Sequence, residues 1–589
     1  MDRLNFNTFQ QFWTIAKTYW QGDQKWQARG FLLTVVVCLL AYTGLSVLLN
    51  NQRGALISAL SAQDEPRFWK IVFVFIAVLV LYAPLLAGYQ YLRDRLSLNW
   101  RRWLTNRFVD RYFANRAYYN LQTLTPEIDN PDQRIAEDVR SFTQESLTFL
   151  LVMVESVLSV IAFSGVLWGI SRPLVFFLVG YALIGTLVTT FVFGKPLVRL
   201  NFEQLKKEAD LRFSLVRVRE NAEAIAFYQG EPRESEQVKQ RFLAVFENVK
   251  RLLVWELNLN VLTNAYEFIP FILPALVVAP AIFTGEVEVG KVSEAQGAFV
   301  RVFFSLNLVV ARFQALTAFG AGIERLYSFA AFLEAQDPEA ARNSAELASP
   351  EAEALAQDAS EPQPSEPQPA TIQTLEADQL AVQHLTIQTP NHQRTLVENL
   401  TLELPKGEGL LVMGPSGCGK SSLLRVIAGL WNSGSGQVLR PSSDILFLPQ
   451  RPYMVVGSLR DQLLYPDTDL EVTEAQLKAA LVQVNLADLD ERFGGFEAEQ
   501  DWADVLSLGE QQRLTFARLL LNQPRYAILD EATSALDLAN ESQLYRHLQA
   551  SNTTFLSVGH RATLAEYHTQ ILNCEGKTWQ VKALAEVNI

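Results

Sequence analysis

The chain is poor in cysteine, in histidine and in charge. Its three cysteines, Cys38, Cys418 and Cys574, lie far apart and match no metal-ligand spacing, which argues against a disulfide framework and against a zinc site. All five histidines come after residue 380, so the first 380 residues have no histidine for a metal site or a proton relay. Only 19% of the 589 residues are charged and 49% are hydrophobic, a composition that indicates a membrane-embedded part.

The net charge of −13 is concentrated in one segment. Residues 334–380 hold eleven Asp or Glu and one Arg, which leaves the rest of the chain nearly balanced. A nucleic-acid partner therefore has no electrostatic support. Residues 334–376 are rich in Ala, Glu, Pro, Gln and Ser, a composition that predicts a flexible linker, with an acidic binding tail as the alternative. The linker separates a membrane part, 29–333, from a second domain, 377–589.

Long apolar runs predict six membrane spans in the first part of the chain. A run of about 20 residues without charge is long enough to cross the hydrocarbon core of a bilayer. The predicted spans are residues 30–49, 69–91, 147–170, 174–193, 252–283 and 298–319.

The loops predict how these spans are oriented. Seven arginines lie in residues 93–116, after the second span, whereas the loops on the other side are short and hold few positive charges. By the positive-inside rule, the N-terminus, the long loops at 95–145 and 195–250 and the C-terminal half are cytosolic.

A stripe of aromatic residues marks the N-terminal segment, 1–28. Its helical spacing, next to Lys17 and Lys25 and just before the first span, predicts a helix that lies in the membrane interface. Burial of the stripe in the protein core is the alternative.

Polar residues interrupt several predicted spans. Because charge is costly in lipid, such side chains are expected to face a watery cavity or another helix. The candidate contacts of a transported substrate are Glu155, Asn264, Glu267, Arg301 and Arg312. For Glu155 and Glu267, contact with substrate or protons and simple exposure to a hydrated cavity both stay open.

The second domain contains a phosphate-loop pattern. Residues 414–421 read GPSGCGKS and match G-x-x-x-x-G-K-[ST] at every fixed position, between an apolar run and a predicted helix. Backbone N–H groups and the helix N-terminus can bind phosphate oxygens, Lys420 can reach the terminal phosphates and Ser421 can bind Mg²⁺. A glycine-rich loop without a ligand is the alternative. The candidate nucleotide-binding residues here are Gly414, Pro415, Ser416, Gly417, Cys418, Gly419, Lys420, Ser421 and Ser422.

Three other apolar runs end in polar residues that complete a hydrolytic site. Asp530 and Glu531 end the first, Gln450 follows the second and His560 follows the third. At the carboxyl end of a strand, Asp530 can hold Mg²⁺ and Glu531 can polarise the attacking water, while Gln450 and His560 can reach the same phosphate. Each feature alone is common, and their combination with the phosphate loop indicates ATP hydrolysis.

Residues 506–513 read LSLGEQQR and residues 534–537 read SALD. With the motifs above in this order, residues 377–589 resemble the ATP-binding cassette of ABC transporters. The resemblance implies an α/β P-loop domain that uses ATP and Mg²⁺. It further implies a sandwich dimer in which Ser507 and Gly509 of one copy, the signature residues, enclose the ATP together with the phosphate loop of the other copy.

The resemblance also assigns roles to individual residues. It makes Glu531, His560 and Lys420 catalytic. It assigns Mg²⁺ to Ser421, Gln450 and Asp530. It adds Ser507, Gly509 and Glu510 to the ATP site.

Two departures from the cassette pattern stand out. Leu508 occupies the position where the family usually has a second glycine, and no aromatic residue lies near Thr389 and Pro390 to stack on adenine. The sequence therefore predicts phosphate binding and assigns no residue that would select the base.

The membrane half narrows the resemblance. Residues 129–135 (DNPDQRI), 212–228 and 448–454 (LPQRPYM) are similar to those of subfamily-D half-transporters, whose bacterial relatives resemble the SbmA/BacA peptide importers. This implies an all-α, six-span membrane domain of the type IV ABC exporter-like fold. It also implies a homodimer in a bacterial inner membrane.

The function expected from this resemblance is ATP-driven import of a large hydrophilic cargo such as cobalamin or a peptide. A transporter of fatty acyl, acyl-CoA or lipid substrates is the closer alternative. A membrane-anchored ATPase that regulates a partner or a channel is the alternative from another class.

Overall fold

In the computed structural model the chain forms two units, residues 1–359 and residues 360–589. The structure describes residues 6–124, 128, 130–306, 313–336, 371–389, 394–467, 470–575 and 578–583. Most of the predicted linker, 334–376, lies outside these described residues. The first unit is helical and the second contains β-sheets with helices around them, which confirms the predicted fold class.

Long helices build the first unit. They are α1 (Phe6–Gln21), α2 (Lys25–Ser61), α3 (Glu65–Phe113), α4 (Ala117–Leu124), α5 (Val139–Ile170), α6 (Arg172–Val188), α7 (Lys195–Glu220), α8 (Ala222–Tyr228), α9 (Glu231–Phe283), α10 (Gly290–Leu306) and α11 (Phe313–Ala335). Short turns of other helix types lie at Ala114–Arg116, Arg134–Asp138 and Thr189–Gly194, and a single α-helical turn lies at Pro131–Gln133.

Four helical stretches of the described chain are long and apolar enough to cross a membrane. They are Lys25–Ser61, Glu65–Leu121, Pro131–Ile170 and Glu231–Phe283, and they contain the first, second, third and fifth predicted spans. The fourth predicted span falls on a shorter apolar helix, Arg172–Gly185. The sixth is divided between α10 and α11, and residues 307–312 within it lie outside the described residues. The total of six spans stays a prediction.

The aromatic stripe lies on α1, and one side of it belongs to the protein core. Ile15, Ala16 and Tyr19 are buried, and the Tyr19 ring stacks on Trp100 of α3 with 5.6 Å between ring centroids. The other side, which includes Trp13, is exposed. The buried side agrees with the alternative interpretation, and only the exposed side is suited to a membrane interface.

Two sheets organise the second unit. Its strands are β1 (Gln373–Glu376), β2 (Leu380–Gln388), β3 (Thr395–Leu404), β4 (Gly409–Met413), β5 (Gly434–Arg440), β6 (Ile445–Leu448), β7 (Tyr526–Asp530), β8 (Thr554–Val558), β9 (Gln570–Glu575) and β10 (Thr578–Ala583). The four-stranded sheet has the order β1-β5-β2-β3, and the six-stranded sheet has the order β10-β9-β4-β8-β7-β6. All pairings in the larger sheet are parallel except that of β9 with β10.

Helices cover the larger sheet. They are α12 (Lys420–Ile427), α13 (Leu459–Leu464), α14 (Glu474–Gln483), α15 (Leu489–Phe493), α16 (Trp502–Val505), α17 (Leu508–Asn522) and α18 (Leu538–Ala550), with a 3-10 turn at Ala562–Tyr567. Alternate residues of β4 point to opposite faces: Leu411 joins one hydrophobic cluster, and Leu410 and Val412 join the other. A strand buried on both faces reads as a continuous apolar run, which is why the sequence revealed it.

A close backbone approach joins α2 to α10. A Cβ atom added to Gly290 would lie 1.9 Å from the carbonyl oxygen of Gly54, and the Gly290 N–H donates to Oγ of Ser58 at 3.1 Å. Nearby, Nδ2 of Asn50 donates to the carbonyl of Glu294 at 3.0 Å. The missing side chain at Gly290 therefore permits this helix contact.

We expect Gly290→Ala to destabilise the membrane unit by about 1 to 3 kcal/mol, because the added methyl group must push α2 and α10 apart. The measurement is thermal unfolding of the purified protein in detergent. Gly44→Ala is the matched control on α2, since nothing lies within 4 Å of a Cβ added there. Equal melting temperatures for the two variants would contradict the prediction.

Candidate active site

The phosphate loop lies between β4 and α12, as the sequence predicts. Gly414, Gly417 and Gly419 all have positive φ angles, of 149°, 80° and 110°, a region of backbone conformation that glycine adopts without steric penalty. A Cβ at Gly414 would also lie 2.8 Å from Cβ of Cys574. The glycines are thus required by the turn itself.

Lys420 is held inside the loop that precedes it. Its side chain is buried, and Nζ donates to the carbonyls of Gly414 at 2.8 Å and Pro415 at 3.0 Å. An ammonium has three N–H donors, so one remains for a phosphate oxygen. Ser421 and Ser422 follow in the first turn of α12, where the helix dipole favours an anion.

The carboxylate of Asp530 reaches the start of α12. Oγ of Ser421 donates to Oδ1 of Asp530 at 3.5 Å. Burial raises the pKa of Asp530 and the charge of Glu531 raises it further, against the hydrogen bond from Ser421 and the positive charges of Arg425 and Lys420. A bound cation would stabilise this buried negative charge.

Ser421 and Asp530 fit a magnesium ion. Hydroxyl and carboxylate oxygens are ligands that Mg²⁺ prefers, and it commonly takes its other ligands from phosphates and water. The described part of the chain contains no group of three or more His, Cys, Asp or Glu that could hold a metal by itself. The pair is therefore suited to a magnesium ion that arrives with a nucleotide.

Glu531 brings the remaining predicted residues together. Nε2 of Gln450 donates to its Oε2 at 2.8 Å, and Nε2 of His560 lies 3.0 Å from its Oε1. Glu531 itself has a positive φ of 49°, which is uncommon for a residue with a side chain and is found at functional sites. The carboxylate is thus oriented from both sides. In this arrangement Gln450 contacts Glu531, and its binding of Mg²⁺ stays a prediction.

The signature residues lie at the start of α17. Ser507 caps the helix, and both its N–H and its hydroxyl donate to Oε2 of Glu510, at 2.9 and 2.8 Å. Ser507 and Leu508 are exposed and Gly509 is half-buried. Among the described residues of one chain, no hydrogen bond joins Ser507 or Gly509 to the phosphate loop.

Gln512 is a buried link within the site that was not among the sequence candidates. Its buried amide lies on α17 and bridges two other segments of the site: Nε2 donates to the carbonyl of Gln450 at 3.1 Å and to Oγ of Ser534 at 3.2 Å, and Oε1 accepts from the Ala535 N–H at 3.0 Å. The sequence did show that Gln512 belongs to the LSLGEQQR stretch. It could not show the hydrogen bonds of Gln512, because their partners are distant in sequence.

Arg518, further along α17, was also missed. It is buried, and burial lowers its pKa to about 10. Its guanidinium donates to the carbonyl of Tyr453 at 2.8 Å and to the carbonyl of Gln462. The amide of Gln462 in turn bonds Val455 through both its oxygen and its nitrogen. Arg518 therefore ties the signature helix to the segment that follows Gln450.

The structure brings two of the candidate cargo residues together. Glu155 of α5 and Arg301 of α10 interact electrostatically, and Nη2 of Arg301 donates to the Tyr42 hydroxyl at 2.8 Å. The Tyr42 ring lies 5.3 Å from that of Tyr82 and 6.3 Å from that of Tyr89. The tyrosines were not among the sequence candidates, because in an apolar run they count as hydrophobic.

The other cargo candidates do not join this cluster in the described chain. Asn264 lies on α9 and is exposed. The side chain of Glu267 and all of Arg312 lie outside the described residues.

Comparisons with known proteins agree with this geometry. The family model for the ABC transporter transmembrane region 2 matches residues 15–283, and the ABC transporter model matches residues 397–534. The chain is 42% identical to an uncharacterized ABC transporter ATP-binding protein of Synechocystis, over 95% of this chain and 83% of that protein. It is 40% identical to the chloroplastic ABC transporter D family member 2 of Arabidopsis thaliana, over 96% and 86%. It is 32% identical to the human lysosomal cobalamin transporter ABCD4, over 98% and 97%.

We expect Glu531→Gln to lower ATP turnover at least about a hundred-fold, because the amide cannot polarise the attacking water as a carboxylate does. ATP binding should persist, since the phosphate loop is unchanged. The measurements are phosphate release and nucleotide binding on purified protein. Glu497→Gln, at an exposed carboxylate paired with Arg460, is the control, and near-normal turnover by Glu531→Gln would overturn the assignment.

Gln512→Leu should destabilise the cassette by about 1 to 3 kcal/mol, because it leaves the Ala535 N–H without its partner. ATP turnover should also fall, since Gln450 and Ser534 lose their common contact. Urea unfolding and phosphate release measure the two effects. Gln549→Leu, at an exposed glutamine of α18, serves as the control, and unchanged stability of Gln512→Leu would count against the bridge.

Proposed function

Since this chain belongs to the ABC transporters and is similar to their subfamily-D half-transporters, we propose that two copies of it form an ATP-driven importer of hydrophilic cargo. ATP-driven transport, with ATPase activity coupled to it, and a multi-pass membrane location follow from the family. What we propose beyond the family is that the chain forms a homodimer, that its cargo is hydrophilic, that transport is import and that the protein lies in a bacterial inner membrane.

The incomplete site in one chain supports the dimer. Lys420 lies in the phosphate loop, whereas Ser507 and Gly509 make no hydrogen bond to that loop in the described part of the same chain. A second copy that presents Ser507 and Gly509 to the first would complete two ATP sites at once. One membrane half and one cassette per chain agree with the same stoichiometry.

The residues of each site then have separate tasks in ATP hydrolysis. Lys420 and the loop N–H groups bind the terminal phosphates, and Ser421 and Asp530 would hold Mg²⁺, which neutralises charge on the phosphates when bound. Glu531 orients and polarises the attacking water. Gln450 and the His560 tautomer with its proton on Nε2 hold that carboxylate from both sides.

A mid-span polar cluster supports hydrophilic cargo. A guanidinium and a carboxylate inside predicted spans are costly in lipid and usually line a hydrated cavity. Arg301 supplies a cation that donates a hydrogen bond to the hydroxyl of Tyr42, and Glu155 adds a carboxyl group within electrostatic range of Arg301. Such a set suits a polar solute better than an acyl chain. The similarity to a cobalamin transporter points to the same class.

A bacterial inner membrane with a cytosolic cassette is the location we propose. The Arg-rich part of α3 extends beyond the second predicted span, where the positive-inside rule places the cytosol. The relative from Synechocystis agrees with a bacterial source.

Uptake into proteoliposomes tests the proposal. We expect ATP-dependent movement of cobalamin or a peptide, with none in Glu531→Gln, and we expect Arg301→Gln to raise the cargo concentration needed for half-maximal uptake. If acyl-CoA were transported and cobalamin and peptide were not, the proposal of hydrophilic cargo would be wrong. ATP turnover without uptake of cobalamin, peptide or acyl-CoA would favour an ATPase that regulates a partner.

A further inference from the structure

The carboxylate of Glu510 is shared by two partners. Its Oε2 accepts the N–H and hydroxyl of Ser507, which forms a capping box at the start of α17. Its Oε1 accepts a hydrogen bond from Nη2 of Arg492 at 2.7 Å. Arg492 comes from α15, outside the signature stretch, and the sequence analysis gave it no role.

The position of Arg492 is well defined. It lies in the last turn of α15, whose C-cap is Gly494 with a positive φ of 91°. The guanidinium lies 5.0 Å from the centroid of the Phe493 ring, and that ring packs edge-on against Trp502 at 5.2 Å. Charged pairs between exposed side chains contribute little, but here Glu510 is mostly buried, with 17% of its side chain exposed.

The charge of Glu510 creates a problem for the proposed ATP site. Burial raises the pKa of Glu510, yet hydrogen bonds from Arg492 and Ser507 outweigh it and the pKa is lowered, so the group is a carboxylate at neutral pH. Ser507 is to contact a phosphate, and a carboxylate bonded to the same hydroxyl competes for its proton and repels the phosphate. A guanidinium on the other oxygen reduces both effects.

We propose that Arg492 is a positioning residue for ATP hydrolysis: it orients and neutralises Glu510, so that Ser507 is presented to the ATP bound by the second copy. The inference rests on the proposed function, because that function supplies the second copy. Arg492 acts through Glu510 and does not touch the nucleotide.

We expect the Arg492 variants to lose ATP turnover without losing ATP binding. Arg492→Ala should lower kcat about ten-fold, the usual scale for one charge-assisted hydrogen bond. The Kd for ATP should change by less than about two-fold, since the phosphate loop that binds first is intact. Arg492→Lys should recover part of the rate, because an ammonium restores the charge without the planar geometry of the guanidinium.

Lys478→Ala is the matched control. Lys478 pairs with Asp490 of the same short helix α15 at 3.2 Å and makes no contact with Glu510 among the described residues. A loss of turnover in Lys478→Ala equal to that in Arg492→Ala would show that any damage to α15 has this effect, and it would overturn the specific role of Arg492.

Mixed dimers test whether Arg492 acts on the partner's ATP. With Lys420→Ala in one copy and Arg492→Ala in the other, both defects fall in one composite site and the second site stays intact. With both substitutions in the same copy, each site carries one defect. We expect the first dimer to trap nucleotide with vanadate and the second to trap several-fold less. Equal trapping in the two dimers would overturn the inference.

Ser507→Ala separates the inference from the proposed function. Full activity of Ser507→Ala would overturn the role of the signature residues, and the inference with it. Loss of activity in Ser507→Ala together with full activity in Arg492→Ala would overturn the role of Arg492 alone. Loss in both, with partial recovery in Arg492→Lys, supports the inference.

Discussion

Parallel strand pairing is the constraint on which the active site depends. Because β4, β8, β7 and β6 pair in parallel, their carboxyl ends meet at one edge of the sheet. The phosphate loop follows β4, His560 follows β8, Glu531 follows β7 and Gln450 follows β6. Residues far apart in sequence thus contact one another, as in the pairs Ser421 with Asp530, 109 positions apart, and Gln450 with Glu531, 81 positions apart. An antiparallel neighbour in this part of the sheet would place its functional residue at the opposite edge.

The strand ends were predictable from sequence because each strand is buried on both faces and therefore reads as an apolar run that stops at a polar residue. The interactions of Gln512, Arg518 and Arg492 were not, since each depends on segments that meet only after folding. The N-terminal stripe shows a different limit. A lipid interface and a protein core both favour an apolar helix face, so periodicity alone could not assign Tyr19 to the core.

The membrane unit obeys a constraint of its own, the high free energy of a charge in hydrocarbon. That constraint identifies Glu155 and Arg301 in the sequence, but it does not identify neutral polar groups. The Tyr42 oxygen accepts a hydrogen bond from Arg301. A tyrosine in an apolar run cannot be recognised as a polar contact from the sequence, because its ring is compatible with lipid. Sequence reasoning therefore finds the charges of a buried polar cluster more readily than the groups that solvate them.

Charge balance links the two proposals about the ATP site. In the proposed dimer, a nucleoside triphosphate enclosed between two cassettes would lie near the carboxylates of Asp530 and Glu531 from one copy and near Glu510 from the other. Repulsion among these anions opposes closure unless cations are supplied from both sides. Lys420 and a magnesium ion act on the side of the phosphate loop, and Arg492 is the corresponding cation on the signature side. In the proposed dimer, closure would therefore depend on a guanidinium that does not touch the nucleotide, which is why the contribution of Arg492 is to be measured in turnover and trapping rather than in the first binding step.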